Sequence, residues 1–210
     1  GEDIEALHDM RVATRRLRAA MAAFRPFLTP RMLALRDELG WVAAALGEVR
    51  DLDVQLDRMG EWREGFTPER AHALDAIESL LHARRNAARK RMLLALDSRR
   101  YGRLVSRFSA LLKYGPPRTF VPGRAPILAV APDMVEKRYR TVRKSGDRIN
   151  RTSAPDLYHA LRIDAKKLRY ALEFVGTGIY GKPAVEFSTR VTAMQDVLGL
   201  HQDAYVAMDM

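Results

Sequence analysis

The chain has no cysteine, which excludes disulfides and thiolate metal sites and makes it compatible with a reducing compartment. It also lacks any apolar run near the roughly 18 residues a membrane-spanning helix needs. Its first residues, Gly1-Glu-Asp-Ile, do not have the form of a secretory signal. Cytoplasm is therefore the default location, and no membrane partner is expected. Aromatic residues make up only 8% of the 210 and are not interleaved with the basic runs, so the stacking platforms of single-strand nucleic-acid binders are missing. No helix-turn-helix or zinc-finger spacing occurs. Period-two alternation is absent too, whereas apolar residues recur at helical spacing almost throughout. The fold class expected is all-α.

What the chain has in excess is positive charge, with 36 Lys and Arg against 26 Asp and Glu and a net charge of +10. That balance makes polyanions the leading partner class: phosphate chains, nucleic acid or an acidic surface. The acids are interspersed and 47% of residues are hydrophobic, which suits a folded domain of moderate size, or two small halves sharing a core.

The cations are concentrated in two runs, His8-Asp-Met-Arg-Val-Ala-Thr-Arg-Arg-Leu-Arg18 and His159-Ala-Leu-Arg-Ile-Asp-Ala-Lys-Lys-Leu-Arg169. At about 100° per residue, His8, Arg11, Arg15 and Arg18 fall within an arc of roughly 80°, and His159, Arg162, Lys166 and Arg169 do the same on their own helix. Arg16 and Lys167 stand about 80° from the histidines, so they reach a ligand from the flank or not at all. Like charges three and four apart repel by roughly 0.2–0.5 kcal/mol per pair in an isolated helix, so a row built twice implies an anion that compensates. Arginine offers a planar fork of donors for phosphate oxygens, lysine a mobile point charge, and histidine a neutral donor that becomes cationic beside an anion.

The apolar stripe behind the first row is Met10, Leu17, Met21 and Phe24, and adding 151 to each number gives Leu161, Leu168, Leu172 and Val175. A second segment repeats at nearly the same offset: Leu46-Gly-Glu-Val-Arg-Asp51-Leu-Asp-Val54 against Leu198-Gly-Leu-His-Gln-Asp203-Ala-Tyr-Val206. Two ordered matches imply a single domain over 1–210 made of pseudo-symmetric halves, whose long helices face one shared basic cleft. The first half is expected over about 1–114, a connector over about 115–132 and the second half over about 133–210.

Within them, helices are expected from Asp3 to Phe27, with Asp3 as N-cap, and from Pro30 to Gly60. The next, opened by Thr67-Pro-Glu-Arg70, is expected to continue to about Tyr114. One then runs from Pro132 to Ile149, one from Ser153 to the glycines at 176 and 178, and one from Pro183 onward. Too little precedes His8 or follows Asp203 to match the other half, so the complete domain is expected to be longer at both ends.

Three ordered motifs, His-x-x-Arg-Val-x-x-Arg-Arg-Leu-Arg from His8, Leu-Gly-x-x-Arg-Asp-x-Asp-Val from Leu46 and His-x-Leu-Arg-Ile-x-x-Lys-Lys-Leu-Arg-Tyr-x-Leu-Glu-Phe from His159, resemble the CHAD family, the conserved histidine α-helical domain. The resemblance implies an all-helical domain of two pseudo-symmetric bundles whose basic central surface binds inorganic polyphosphate, or phosphate and sulfate anions. No catalysis and no cofactor are expected, since the additional His and Asp ligands of a phosphohydrolase are not evident and two equivalent histidines suit a symmetric binding cleft better than a carrier site. The resemblance also implies frequent fusion to an upstream CYTH domain, and a place at polyphosphate granules would follow from such binding. The ligand-facing set carried over is His8, Arg11, Arg15 and Arg18 with His159, Arg162, Lys166 and Arg169, and Arg16 and Lys167 occupy the next motif position, on the flank. The second Leu-Gly segment has Gln202 where Arg50 stands, so the halves are not expected to bind equally.

Arg50, Arg85, Arg89 and Arg138 are candidate additional cleft cations. Arg85 and Arg138 interrupt apolar stripes, and a buried unpaired charge costs several kcal/mol, so these side chains are expected to snorkel out or to line a wet cavity. Asp51 and Asp203 are expected to orient arginines from behind. The alternatives are nucleic-acid or other polyanion binding, and an enzyme of phosphohistidine or phosphohydrolase type suggested by His8-Asp9, whose side chains point about 100° apart on a helix. His72 and His82 point about 80° apart, so no metal pair is expected. His201 and the two tryptophans, Trp41 and Trp62, read as incidental or packing residues.

Overall fold

The computed structural model describes the backbone of residues 4–67 and 71–208. Seven helices longer than one turn account for most of it: α1 (Ile4–Ala23), α2 (Pro30–Glu64), α3 (Asp75–Leu96), α4 (Arg99–Tyr114), α5 (Ile127–Gly146), α6 (Pro155–Ala171) and α7 (Lys182–Met208). No strand occurs among the described residues. The chain resolves into two compact units, one of Gly1–Arg18 with Thr29–Pro117, the other of Ala19–Leu28 with Arg118–Met210.

In the first unit α2 packs on α3 and α4. Its start is set by Thr29, whose hydroxyl accepts from the Met32 amide at 3.3 Å, and by Pro30 at the first helical position. Met32, Leu35, Leu39, Val42, Leu46 and Val49 then recur at alternating steps of three and four, and all are buried. The next step of that seam falls on Asp53, which is also buried. On α3 the seam Leu81, Ala88, Met92 likewise passes through Arg85. The two charged interruptions meet, Arg85 Nε donating to Asp53 Oδ1 at 2.5 Å.

Three half-buried acids of this unit are also held by arginines from another helix. Arg100 of α4 donates through Nε and Nη2 to Glu38 at 2.7 and 3.1 Å, and Arg63 of α2 donates to Asp75 and Glu78 of α3 at 2.5 and 2.6 Å. These hydrogen bonds hold the carboxyls of Glu38 and Asp75 below their ordinary range. A carboxylate whose folded-state pKa is depressed adds stability that is fully present above its unfolded value, about 4, and is lost as pH falls through the folded one. Thermal unfolding should therefore lose Tm below about pH 4, and less steeply in Arg63→Ala/Arg100→Ala. Parallel acid profiles for the two proteins would refute the assignment.

In the second unit α6 lies against both α5 and α7. Ala165, Leu168, Leu172 and Val191 form a buried cluster, with Val135, Val142, Phe187 and Met194 packed around it. Leu168 is 1% exposed, so Leu168→Ala should cost about 2–5 kcal/mol, read by urea unfolding; a loss under about 1 kcal/mol would contradict this packing.

Several helix boundaries differ from the sequence expectation. Asp3 and residues 68–70, expected as helix starts, lie outside the described residues. The first helix ends at Ala23 and is followed by a 3-10 turn, Arg25–Phe27, because Pro26 cannot continue it. The second runs past Gly60 to Glu64. The helix expected to reach Tyr114 unbroken stops at Asp97, because Ser98 adopts an extended backbone and its hydroxyl caps a new helix by accepting from the Tyr101 amide at 3.2 Å.

Residues 127–132, assigned to the connector, are the start of α5, which ends at Gly146 and not at Ile149. Pro132 is the sixth residue of α5 and lies inside the helix, where it removes one donor from the intrahelical ladder. Gly176 and Gly178 do not stop the second basic helix either. It passes through a π-helical stretch, Leu172–Gly176, and one more turn to Tyr180, and stops at Gly181 with φ of 59°. Gly176 answers a different need, since a Cβ there would lie 3.2 Å from Leu172 and 3.6 Å from Ala184 of α7.

Candidate anion-binding faces

In the first unit the row lies on α1, with His8 and Arg15 exposed and Arg11 and Arg18 half-buried. Thr14, about 40° around the helix from Arg18, is buried. Asp51 of α2 stands 3.6 Å from Arg11, with its own side chain 71% exposed. Arg18 lies against Gly40 of α2: a Cβ there would be 3.5 Å from Nη2, and the Arg18 Nε is buried with no hydrogen-bond partner among the described residues. Arg16, on the flank, is exposed and engaged in a further contact. Arg50 faces Asp57 at 3.7 Å.

Arg85 and Arg89, with Leu7 and Met10 of α1, border a cavity of about 270 Å³. Arg85 does not snorkel out: its side chain is 13% exposed and its charge is met by Asp53, whose side chain is 6% exposed. The stripe of α3 alone could not reveal this, because the compensating charge sits 32 residues away on another helix.

In the second unit the row lies on α6, with His159 exposed and Arg162, Lys166 and Arg169 half-buried. Arg162 lies against Gly199 of α7, where a Cβ would be 3.7 Å from Nε, and that Nε is buried without a hydrogen-bond partner among the described residues. Arg169 donates from Nε to Gln195 of α7 at 3.0 Å and from Nη1 to Glu173, and its guanidinium lies 4.9 Å from the Tyr170 ring centroid. Lys167 donates to Asp164 at 2.9 Å, and Asp164 also accepts from Ser145 of α5 at 2.9 Å. Lys166 is engaged in a further contact, and Arg138 of α5 is half-buried. The side chain of Asp203 lies outside the described residues. His201 is not idle: its ring stacks on Tyr158 at 4.3 Å.

The two rows therefore share more than composition. In each, an exposed histidine leads, the arginine three residues on and the arginine ten residues on are half-buried, and one arginine lies on a glycine of a neighbouring helix. The backs differ, since Leu161, Leu168, Leu172 and Val175 are all buried while Leu17 is 38% exposed. Glu173 is among the acids the sequence offers as a salt-bridge partner of the rows, whereas Gln195 and Asp164 go unsignalled by the motifs. For Asp164 a signal exists, since it stands three residues from Lys167 on one helix. No cluster of His, Asp or Glu with metal-ligand geometry occurs among the described residues. No helix among them is long and apolar enough to cross a membrane.

These features define an all-helical domain that carries a histidine-led cationic face on a helix of each unit. The chain belongs to the CHAD domain family, whose model matches residues 1–210. Its structure is similar to the crystal structure of the CHAD domain from the plant Ricinus communis, with a TM-score of 0.74 and 29% identity, over 99% of this chain and 68% of that one. PptA from Streptomyces chartreusis shares the fold, with a TM-score of 0.67 and 16% identity over 97% of this chain and 87% of its own. Uncharacterized proteins of Mycobacterium tuberculosis, Rv2226 of strain H37Rv and MT2285 of strain CDC 1551, are each 29% identical over 209 residues, which is 98% of this chain and 39% of theirs. The chain thus spans about two fifths of the length of the curated relatives it matches.

Proposed function

We propose that this domain binds inorganic polyphosphate and performs no chemistry on it, through the cationic faces of α1 and α6. The observation that carries the reading is the recurrence on both helices of one exposure pattern. The histidines are open to solvent, while Arg11, Arg18, Arg162 and Arg169 are half-buried, with the guanidinium groups of Arg18 and Arg162 lying against Gly40 and Gly199. Held groups lose less side-chain freedom on binding than free ones. Rows repeating about every helical turn, 5–6 Å apart, suit a ligand whose charge also repeats along its length. The histidines serve as donors beside the phosphate oxygens. A covalent carrier role for one histidine is disfavoured by there being two in equivalent settings.

A fused upstream CYTH domain is the partner this reading expects, and polyphosphate granules in the cytoplasm are the expected location. The test is direct binding of long-chain polyphosphate in competition with duplex DNA at equal charge concentration. Polyphosphate should hold against the competitor, and binding should weaken with salt. Equal displacement by DNA would replace the proposal with general polyanion binding. Release of orthophosphate from the polymer would make the domain an enzyme.

A further inference from the structure

A second arginine cluster lies in the first unit, away from the α1 row. Arg100, Arg103 and Arg107 of α4 and Glu38 of α2 line a cavity of about 190 Å³. It adjoins a groove of about 650 Å³ to which Arg107 and Arg31 contribute, and Leu35 borders both. Glu38 is the one acid lining either hollow among the described residues. Arg100 takes both oxygens of that carboxylate and lies over the Trp41 ring, 4.2 Å from its centroid. Arg103 and Arg107 are exposed, act on Glu38 only through their charge, and make no hydrogen bond or ion pair with a described residue.

Local helix chemistry deepens the imbalance. The first turns of α2 and α4 contain no acidic residue, and Arg31 and Arg100 stand at those positive helix ends, where cations are disfavoured. Gly40, on which Arg18 rests, is two residues from Glu38 and so about 200° around α2, which puts the helix between this cluster and the α1 row.

We infer that Arg103 and Arg107, with Arg31 across the groove, form a separate site for a small phosphate-class anion with two linked phosphoryl groups, in which the Glu38 carboxylate occupies part of the space when no ligand is bound. Guanidinium forks spaced three and four residues apart on one helix suit two phosphoryl groups better than one. The smaller hollow is below the roughly 300–1,000 Å³ of sites that enclose drug-sized molecules, which favours an inorganic anion. Because Glu38 competes with the ligand for the same cations, removing its charge tightens binding.

The probe is radiolabelled inorganic diphosphate in equilibrium dialysis. It is applied to the protein carrying Arg15→Ala, Arg18→Ala, Lys166→Ala and Arg169→Ala, so that the rows of the proposed polyphosphate faces do not contribute. About one diphosphate per chain should bind, at least about ten-fold more weakly after Arg103→Ala/Arg107→Ala, since two charge-assisted contacts are lost, and more tightly after Glu38→Gln. Trp41 fluorescence, isolated by Trp62→Phe, should change as Arg100 is pulled from Glu38. If the four-fold variant loses helicity, Arg103→Ala/Arg107→Ala alone should lower the diphosphate bound to the unmodified chain by about one per chain. Unaltered binding without Arg103 and Arg107, or none to the parent, overturns the site. Failure of the polyphosphate reading would appear instead as polyphosphate affinity insensitive to the row substitutions.

Discussion

Replacing Arg15, Arg18, Lys166 and Arg169 with alanine should weaken binding of long-chain polyphosphate about a thousand-fold, or about 4 kcal/mol, at roughly 1 kcal/mol per cation facing the polymer. The slope of log affinity against log salt should flatten by about three, since each neutralised phosphate adds roughly 0.7–0.9 to it in polyanion binding. Arg15 gives the cleanest single contribution because it is exposed, so Arg15→Ala removes charge with little packing. Arg18 and Arg169 are different: one rests on Gly40 and the other binds Gln195 and Glu173, so their replacement also loosens neighbouring helices. Circular dichroism and a urea midpoint must accompany the isotherm. Affinity that survives the four-fold replacement in a protein of unchanged helicity would sink the proposed function.

Asp53→Ala should destabilise the fold by about 3–5 kcal/mol, a large share of the roughly 5–15 kcal/mol that holds a typical domain together. The cost arises on the arginine. Arg85 is 13% exposed and its Nε is bonded to Asp53, so removing the carboxylate takes a bonded counter-charge from a nearly buried guanidinium. Asp53→Asn keeps an acceptor and should cost less. Asp53→Leu/Arg85→Met removes both charges while keeping bulk, and should recover most of the loss, because apolar replacement of a buried pair is often neutral or better. Chemical denaturation reads all three, and an Asp53→Ala protein within about 1 kcal/mol of the parent would show that the pair is dispensable.

The pair also shows where sequence reading stops. Arg85 was visible as a charge in the seam Leu81, Ala88, Met92, and snorkelling or a wet cavity was the expected resolution. The seam of α2 carries the complementary signal one step beyond Val49, at Asp53. Each helix alone displays an anomaly; only their packing shows that the two cancel. The same holds for Arg100 and Glu38, 62 residues apart, which mark a basic cluster that no repeated motif announced.

By itself the sequence determined the all-helical class, the positions of both cationic rows and the resemblance that the family match bears out. Those properties are local: a row needs only residues three and four apart on a helix, and periodicity of apolar side chains selects the helix. The tertiary structure decided which of the cations are anchored and by what. Gly40 under Arg18, Gly199 under Arg162 and Gln195 beside Arg169 come from other helices, and no spacing within one helix can specify a contact made across two. It also decided the close approach at Gly176, where a Cβ would meet Leu172 and Ala184, whereas the break at Ser98 is local, a hydroxyl cap that the apolar pattern alone does not display.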